Sequence, residues 1–366
     1  MTEFDGLPIR DDLRGETPYG APQLDVAVAL NVNENPYPPS PSMISDVAAA
    51  VAAVTGQLNR YPDREASALR ADLAGYLARF EGVSFDPSLV WAANGSNEVM
   101  HQLLLAFGGP GRTVLGFSPT YSMYPQYCRD TFTNYVTEPR EADFSLDPEV
   151  AVKAVRSHRP VVTLLTSPNN PTGTALPIDT AEAVLEAASE HGGLVVVDEA
   201  YAEFRRPGTP SALGLLERHK NLVVTRTMSK AFAYAGARVG YLVADPAIVD
   251  AVRIVRLPYH LSAVTQVVAT VALRHADELL AQVAALRAER DACVEWLRAN
   301  GFSVADSDAN FVLFGLFDDR HAIWQGLLDR GVLIRETGPS EWLRVSVGTP
   351  AEMTAFKNAL LEVTRG

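Results

Sequence analysis

The chain has 366 residues, 47% of them hydrophobic and 8% aromatic, with 31 Lys and Arg against 44 Asp and Glu and a formal net charge of −13. Such a composition supplies a full core and excludes a disordered chain, while the acidic balance argues against general nucleic-acid binding, because phosphate backbones are repelled. The only cysteines, Cys128 and Cys293, lie far apart without metal-like spacing and read as reduced thiols.

In chain order, the opening "MTEFDGLPIRDDLRGETPYG" is polar and has no apolar signal core. Residues 1–38 read as an irregular N-terminal arm that becomes Pro-rich at "NENPYPPSPS". A helix is expected from Met43 to Leu58 and a second over "REASALRADLAGYLARF". The apolar run "VAAAVAAV" in the first is too short and Ala-rich to span a bilayer, so a cytoplasmic protein without a membrane partner is expected. Strand-like and helix-like runs then alternate: "SLVWAA" into "NGSNE" and the helix "VMHQLLLAF", "RTVLGF" into "SPTYSMYPQY", "PVVTLLT" into "SPNNPTG" and a helix near Thr180–His191, then "GGLVVVDEAY" and "NLVVTRT". Fully apolar strands separated by helices indicate a mostly parallel sheet covered on both faces, an α/β large domain over 39–257. After Pro258 the texture changes. A helical stretch with a break runs from Ser262 to Asn300, followed by "NFVLFGL", the helix "HAIWQGLLDRG", the strands "VLIRE" and "WLRVSVG", and a last helix from Pro350. Residues 258–366 read as a smaller α+β C-terminal domain.

Ligands of open parallel sheets gather at the carboxyl ends of the strands. Five polar clusters fall there: "NGSN", "SPTY", "SPNNPTG", "DEAY" and "TMSK". An amide, a carboxylate, a phenol and a lysine at successive strand ends point to one site. With "LNVNENPYPPS", "RYPD", "VVVDEAYAEF", "TMSKAFAYAGARVGY" and "LRVSVGT", the set resembles the fold-type I pyridoxal-phosphate aminotransferases, class II subgroup, and within them the histidinol-phosphate branch, from about residue 28 to the C-terminus. These motifs are highly specific for the cofactor, pyridoxal 5′-phosphate, and less so for the substrate.

The resemblance makes Lys230 the lysine that bonds to the cofactor aldehyde and moves the proton. That chemistry needs a neutral amine, hence a pKa lowered by burial or nearby cations. Asp198 ends a buried strand and needs a cation, which the pyridine nitrogen supplies. Tyr201 and Asn170 would serve the cofactor's phenolic oxygen, and Tyr121 would stack on the ring. Gly95, Ser96 and Asn97 open a helix, where free N–H groups meet anions; with Thr227, Ser229 and Arg238 they would hold the phosphate. Tyr61 resembles the tyrosine that reaches the neighbouring subunit's cofactor, implying a homodimer with shared active sites. Arg344 and Arg335 suit a bidentate anion clamp, which in the branch holds the substrate phosphate. Tyr19, Asn97 and Tyr259 are further substrate contacts. The histidines show no paired metal spacing and no metal is expected; the G-x-G-x-x-G fingerprint of a nicotinamide site is absent.

The expected reaction is reversible transamination between L-histidinol phosphate and 2-oxoglutarate, a step of histidine biosynthesis. An aromatic amino-acid aminotransferase and a decarboxylase of a phosphorylated amino acid remain alternatives. A regulator that kept the fold is disfavoured by the intact Lys230, Asp198 and Arg238, and by an arm too short and acidic for a DNA-binding segment.

Overall fold

The computed structural model describes residues 6–365. Within the arm, β1 (Val28–Ala29) leads to α1 (Pro41–Thr55) and α2 (Ser67–Glu81). There follow β2 (Val90–Ala93), α3 (Ser96–Phe107), β3 (Thr113–Ser118), α4 (Tyr124–Asp130), β4 (Asn134–Pro139), α5 (Pro148–His158), β5 (Val162–Thr166), α6 (Ile178–Ser189), β6 (Leu194–Asp198), β7 (Leu222–Thr227), β8 (Gly240–Ala244) and α7 (Pro246–Val255). The remainder is α8 (Ala263–Arg274), α9 (Ala276–Ala299), β9 (Ser303–Val304), β10 (Phe311–Gly315), α10 (Arg320–Leu328), β11 (Val332–Leu333), β12 (Arg335–Glu336), β13 (Trp342–Ser346) and α11 (Pro350–Arg365). None of the helices among the described residues is long and apolar enough to cross a membrane.

Seven strands form one sheet in the order β2-β8-β7-β6-β5-β3-β4. Neighbours are parallel except where β8 pairs antiparallel with both β7 and β2. Successive residues of a strand point to opposite faces, and the core divides accordingly. Val195 and Val197 of β6 pack in one cluster with α2, α5, α6 and α8, while Val196 packs in the other with α3 and α7. Apolar side chains on both faces give these strands their continuous hydrophobic runs. A four-stranded antiparallel sheet, β12-β13-β10-β9, carries a separate core with the second half of α9, α10 and α11.

Several details differ from the sequence expectation. The first helix starts at Pro41, not Met43, because Ser40 caps it by accepting from the Met43 amide and proline is at home in a first turn. The break expected in the helical stretch after Ser262 falls at His275. "VLIRE" is not one strand: β11 pairs with β1 of the arm, and β12 with β13. The elements β4, α5, β8 and α7 are additions. Ala269, Ala272 and Leu279 of α8 and α9 pack in the core of the large sheet.

Behind the sheet lies a buried charge cluster. Arg226 of β7 is fully buried and bonds Glu199 at 2.6 Å and Glu81, with Glu203 3.6 Å away. Arg205 bonds Glu81 at 2.9 Å. Removing one partner of such a group strands the other charges out of water. Arg226→Met is therefore expected to lower the unfolding free energy of the apo-protein by about 3–5 kcal/mol in urea titration; a loss below about 1 kcal/mol would show the cluster to be dispensable.

Candidate active site

A cavity of about 460 Å³ opens at the carboxyl ends of the parallel strands and is walled on one side by β12 and β13. Its residues come from segments far apart in the chain. Lys230 follows β7 and faces this cavity. Its Nζ donates to the Val32 carbonyl at 3.0 Å. Burial, then the nearby Arg344 guanidinium, lower its pKa to about 8; Glu34 pulls the other way and Arg238 adds a smaller lowering. At pH 7 that leaves roughly a tenth of the amine neutral, where an ordinary lysine has almost none.

Asp198 and Glu199 are adjacent, buried carboxylates with different surroundings. Glu199 is raised by burial, but Arg226, Arg205 and Ser211 outweigh that and leave it below its ordinary value. Asp198 has no such cation. Its Oδ2 accepts from the Tyr124 hydroxyl at 2.9 Å and its Oδ1 from the Ala200 amide at 3.2 Å, and burial holds its pKa above the usual range. A buried carboxylate that faces a cavity and has no cationic partner among the described residues suits a ligand that carries its own cation. Tyr201 accepts from Asn33 Nδ2 at 3.0 Å, and its own proton has no acceptor among the described residues. Asn170 accepts from Arg344 at 2.5 Å, which leaves its NH2 group for a ligand oxygen. Tyr121 lines the same cavity and stands edge-on to Tyr124.

At the other end α3 is preceded by Gly95, whose φ is +85° and which gives no side-chain cap to the first N–H groups. Those groups, at Ser96 and Asn97, sit at the positive end of the helix. Thr227, Ser229 and Arg238 face the cavity with them. Arg238 donates to Ser229 Oγ at 3.3 Å. The space is tight. A Cβ on Gly95 would lie 2.6 Å from Arg238 Nη2, and one on Gly240 would lie 2.1 Å from the Ser96 nitrogen. Only glycine lets β8 pass this helix start.

Arg335 and Arg344 are direct partners across β12 and β13, and both reach the cavity. Arg344 is 6% exposed and donates to Asn170 and to the Asn31 carbonyl at 3.0 Å, while its Nε is buried without a partner. Burial and the neighbouring Arg335 bring its pKa down to about 10. Arg335 donates to the Gly20 carbonyl at 3.3 Å, and Tyr19 beside it meets Ser122. Neither arginine is in an ion pair among the described residues.

Tyr61 and Tyr259 are not in this cavity. They stack on each other at 4.3 Å on the surface, and Tyr61 is 78% exposed. Conversely, the segment Asn31–Glu34 is a central part of the site that sequence reasoning left without roles. Asn33 binds Ser346 through its amide and Oδ1, Tyr201 through its Nδ2, and Asn310 through its carbonyl. The alternating amides of "NVNENP" were a visible signal, whereas the Val32 carbonyl that holds Lys230 leaves no trace in residue type. Tyr124, three residues beyond Tyr121 in "SPTYSMY", stood in the same visible motif. Among the described residues no cluster of His, Cys, Asp and Glu fits a metal ion.

The pattern of the family described as aminotransferase class I and II matches residues 26–360. Histidinol-phosphate aminotransferase of Thermobifida fusca is 64% identical over 361 residues, 99% of this chain and 96% of that protein. The enzyme of that name from Bifidobacterium longum is 55% identical over 98% of this chain and 97% of its own. Among solved structures, histidinol-phosphate aminotransferase of Sinorhizobium meliloti in complex with pyridoxal-5′-phosphate superposes with a TM-score of 0.81 at 27% identity, covering 93% of this chain and 91% of that one.

The donor set fits pyridoxal 5′-phosphate part by part. Lys230 suits the aldehyde, Asp198 the ring nitrogen, Tyr201 and Asn170 the phenolic oxygen, and the start of α3 with Arg238 the phosphate. Because only the neutral amine attacks an aldehyde, uptake of the cofactor by apo-protein is expected to speed up with rising pH and to be half-maximal near pH 8, the value at Lys230. A rate still climbing through pH 10 would describe an ordinary lysine. Lys230→Ala is expected to lose the visible absorption of the reconstituted protein.

Proposed function

The chain belongs to the class I and II aminotransferase family, and we propose that it transfers the amino group of L-histidinol phosphate to 2-oxoglutarate, reversibly, giving imidazole-acetol phosphate and glutamate in cytoplasmic histidine biosynthesis. The observation that carries this reading is the pair Arg335 and Arg344, in register on one wall of the cavity and bonded only to neutral oxygens. Two free guanidiniums suit a phosphate better than a lone carboxylate. The names of the relatives support the same substrate.

Bound pyridoxal 5′-phosphate supplies the electron sink that makes the substrate's α-proton acidic. Lys230 would take that proton from the amine-bearing carbon and return it to the cofactor's former aldehyde carbon on the other side of the nitrogen, work suited to an amine with a pKa of about 8. Asp198 keeps a proton on the ring nitrogen, and Tyr201 and Asn170 donate to the phenolic oxygen. Tyr121 covers the ring. Arg335 and Arg344 hold the phosphate end, and in the other half-reaction the distal carboxylate of glutamate.

The protein acts as a homodimer in this reading. Tyr61 and Tyr259 reach across to a second copy, with Tyr61 at that copy's cofactor phosphate, which accounts for an exposed stacked pair outside their own cavity. Sedimentation equilibrium is expected to give twice the 39.6 kDa of one chain; a single species at the monomer mass would remove the shared site. The chain divides into an arm over 1–38, a cofactor-binding unit over 39–257 and a smaller unit over 258–366. Steady-state kinetics test the substrate: kcat/KM for histidinol phosphate should exceed that for phenylalanine. Arg335→Ala is expected to reduce the former about ten- to a hundredfold, the worth of a charged hydrogen bond, and the latter much less. Equal losses would remove the phosphate clamp.

A further inference from the structure

We propose that Tyr124 is a positioning residue for the cofactor ring, its hydroxyl fixing Asp198 as an ionised carboxylate and its ring edge bracing Tyr121. The proposal rests on the site reading above. Tyr124 opens α4 and is fully buried. Its hydroxyl lies 2.9 Å from Asp198 Oδ2 and 3.0 Å from Thr166 Oγ1. An ionised carboxylate only accepts, so the phenol proton points at Asp198. The Thr166 hydroxyl must then donate to the phenol oxygen. Burial, reinforced by the charge of Asp198, pushes the Tyr124 phenol far up and keeps it protonated. The same ring stands at 90° to Tyr121 with centroids 5.6 Å apart. One residue thus touches both groups assigned to the ring, the carboxylate at its nitrogen and the aromatic over its face, and it does not itself enter the cavity lining.

The physical consequence concerns one proton. A hydrogen bond donated to a carboxylate stabilises its charged form. With Tyr124 in place, the proton shared between Asp198 and the ring nitrogen rests on the nitrogen. Without that hydroxyl Asp198 becomes the stronger base, the proton moves toward it, and the ring withdraws electrons less well.

Tyr124→Phe removes the hydroxyl and keeps the edge contact with Tyr121, so it isolates this term. In holoenzyme reconstituted with ring-15N pyridoxal phosphate, the nitrogen shift is expected to move toward the unprotonated value. Cofactor Kd should rise about tenfold, and kcat fall about tenfold with KM for the amino donor unchanged, as expected for one hydrogen bond to a charged group. Thr166→Val, which deprives the phenol of the donor that orients it, should shift all three readouts the same way by a smaller factor, and decides the question alone if Tyr124→Phe does not fold. An unmoved nitrogen shift with Kd and kcat within twofold of wild type overturns the proposal, as does a loss of thermal stability unaccompanied by any change at the nitrogen. Wild-type apo-protein that takes up no pyridoxal phosphate would instead overturn the site reading itself.

Discussion

A buried carboxylate without a buried cation organises the reactive half of this molecule. Asp198 ends β6 at 6% exposure, and among the described residues its carboxylate accepts from a phenol and an amide and from no cation. Glu199, the next residue, has Arg226 at 2.6 Å. The two differ by one position on an alternating strand, so one faces a closed charge cluster and the other an open cavity. Out of water such an asymmetry is costly. It is tolerable at Asp198 because the missing charge is one a ligand brings. Among the described residues the cations across the cavity, Lys230, Arg238, Arg335 and Arg344, bond no carboxylate either and suit complementary anions.

The sheet makes this concentration of unmatched groups affordable. Six of the seven strands run the same way and deliver their last residues to one edge, while helices on both faces keep water from the backbone. The reversed strand β8 fits beside them because Gly240 has no Cβ to meet the start of α3. The smaller antiparallel sheet adds what parallel strand ends lack, two guanidiniums projecting from neighbouring strands in register.

Much of this was legible in the sequence, and the physical reason is local. The central strands are runs such as "LVVVD" and "LVVTRT", uniformly apolar and then abruptly polar, so both their burial and the position of the site are written in residue order. The same holds for Arg335 and Arg344, whose spacing allowed neighbouring strands. Elements at the margin were harder. β4 is an edge strand of intermediate exposure with no clean alternation. α7 carried a readable start at Asp245 and Pro246, and β8 lay inside a motif whose chemistry drew attention from its backbone. Contacts made by main-chain oxygens, such as Val32 to Lys230 and Asn31 to Arg344, have no residue-type signature at all. Nor did residue type show that Tyr61 and Tyr259 would find each other on the surface.

The short stretch from Asn31 to Glu34 grips the antiparallel sheet through Ser346 and Arg344, and at the same time carries the oxygen that tethers the reactive amine. Two separately packed cores are thus buttoned together at the seat of the chemistry by this peptide, with Arg344 to Asn170 and Arg206 to Asp308 as further ties. Loosening of the smaller body would unfasten the lysine before any helix melts, so heat should silence this enzyme well before it unravels.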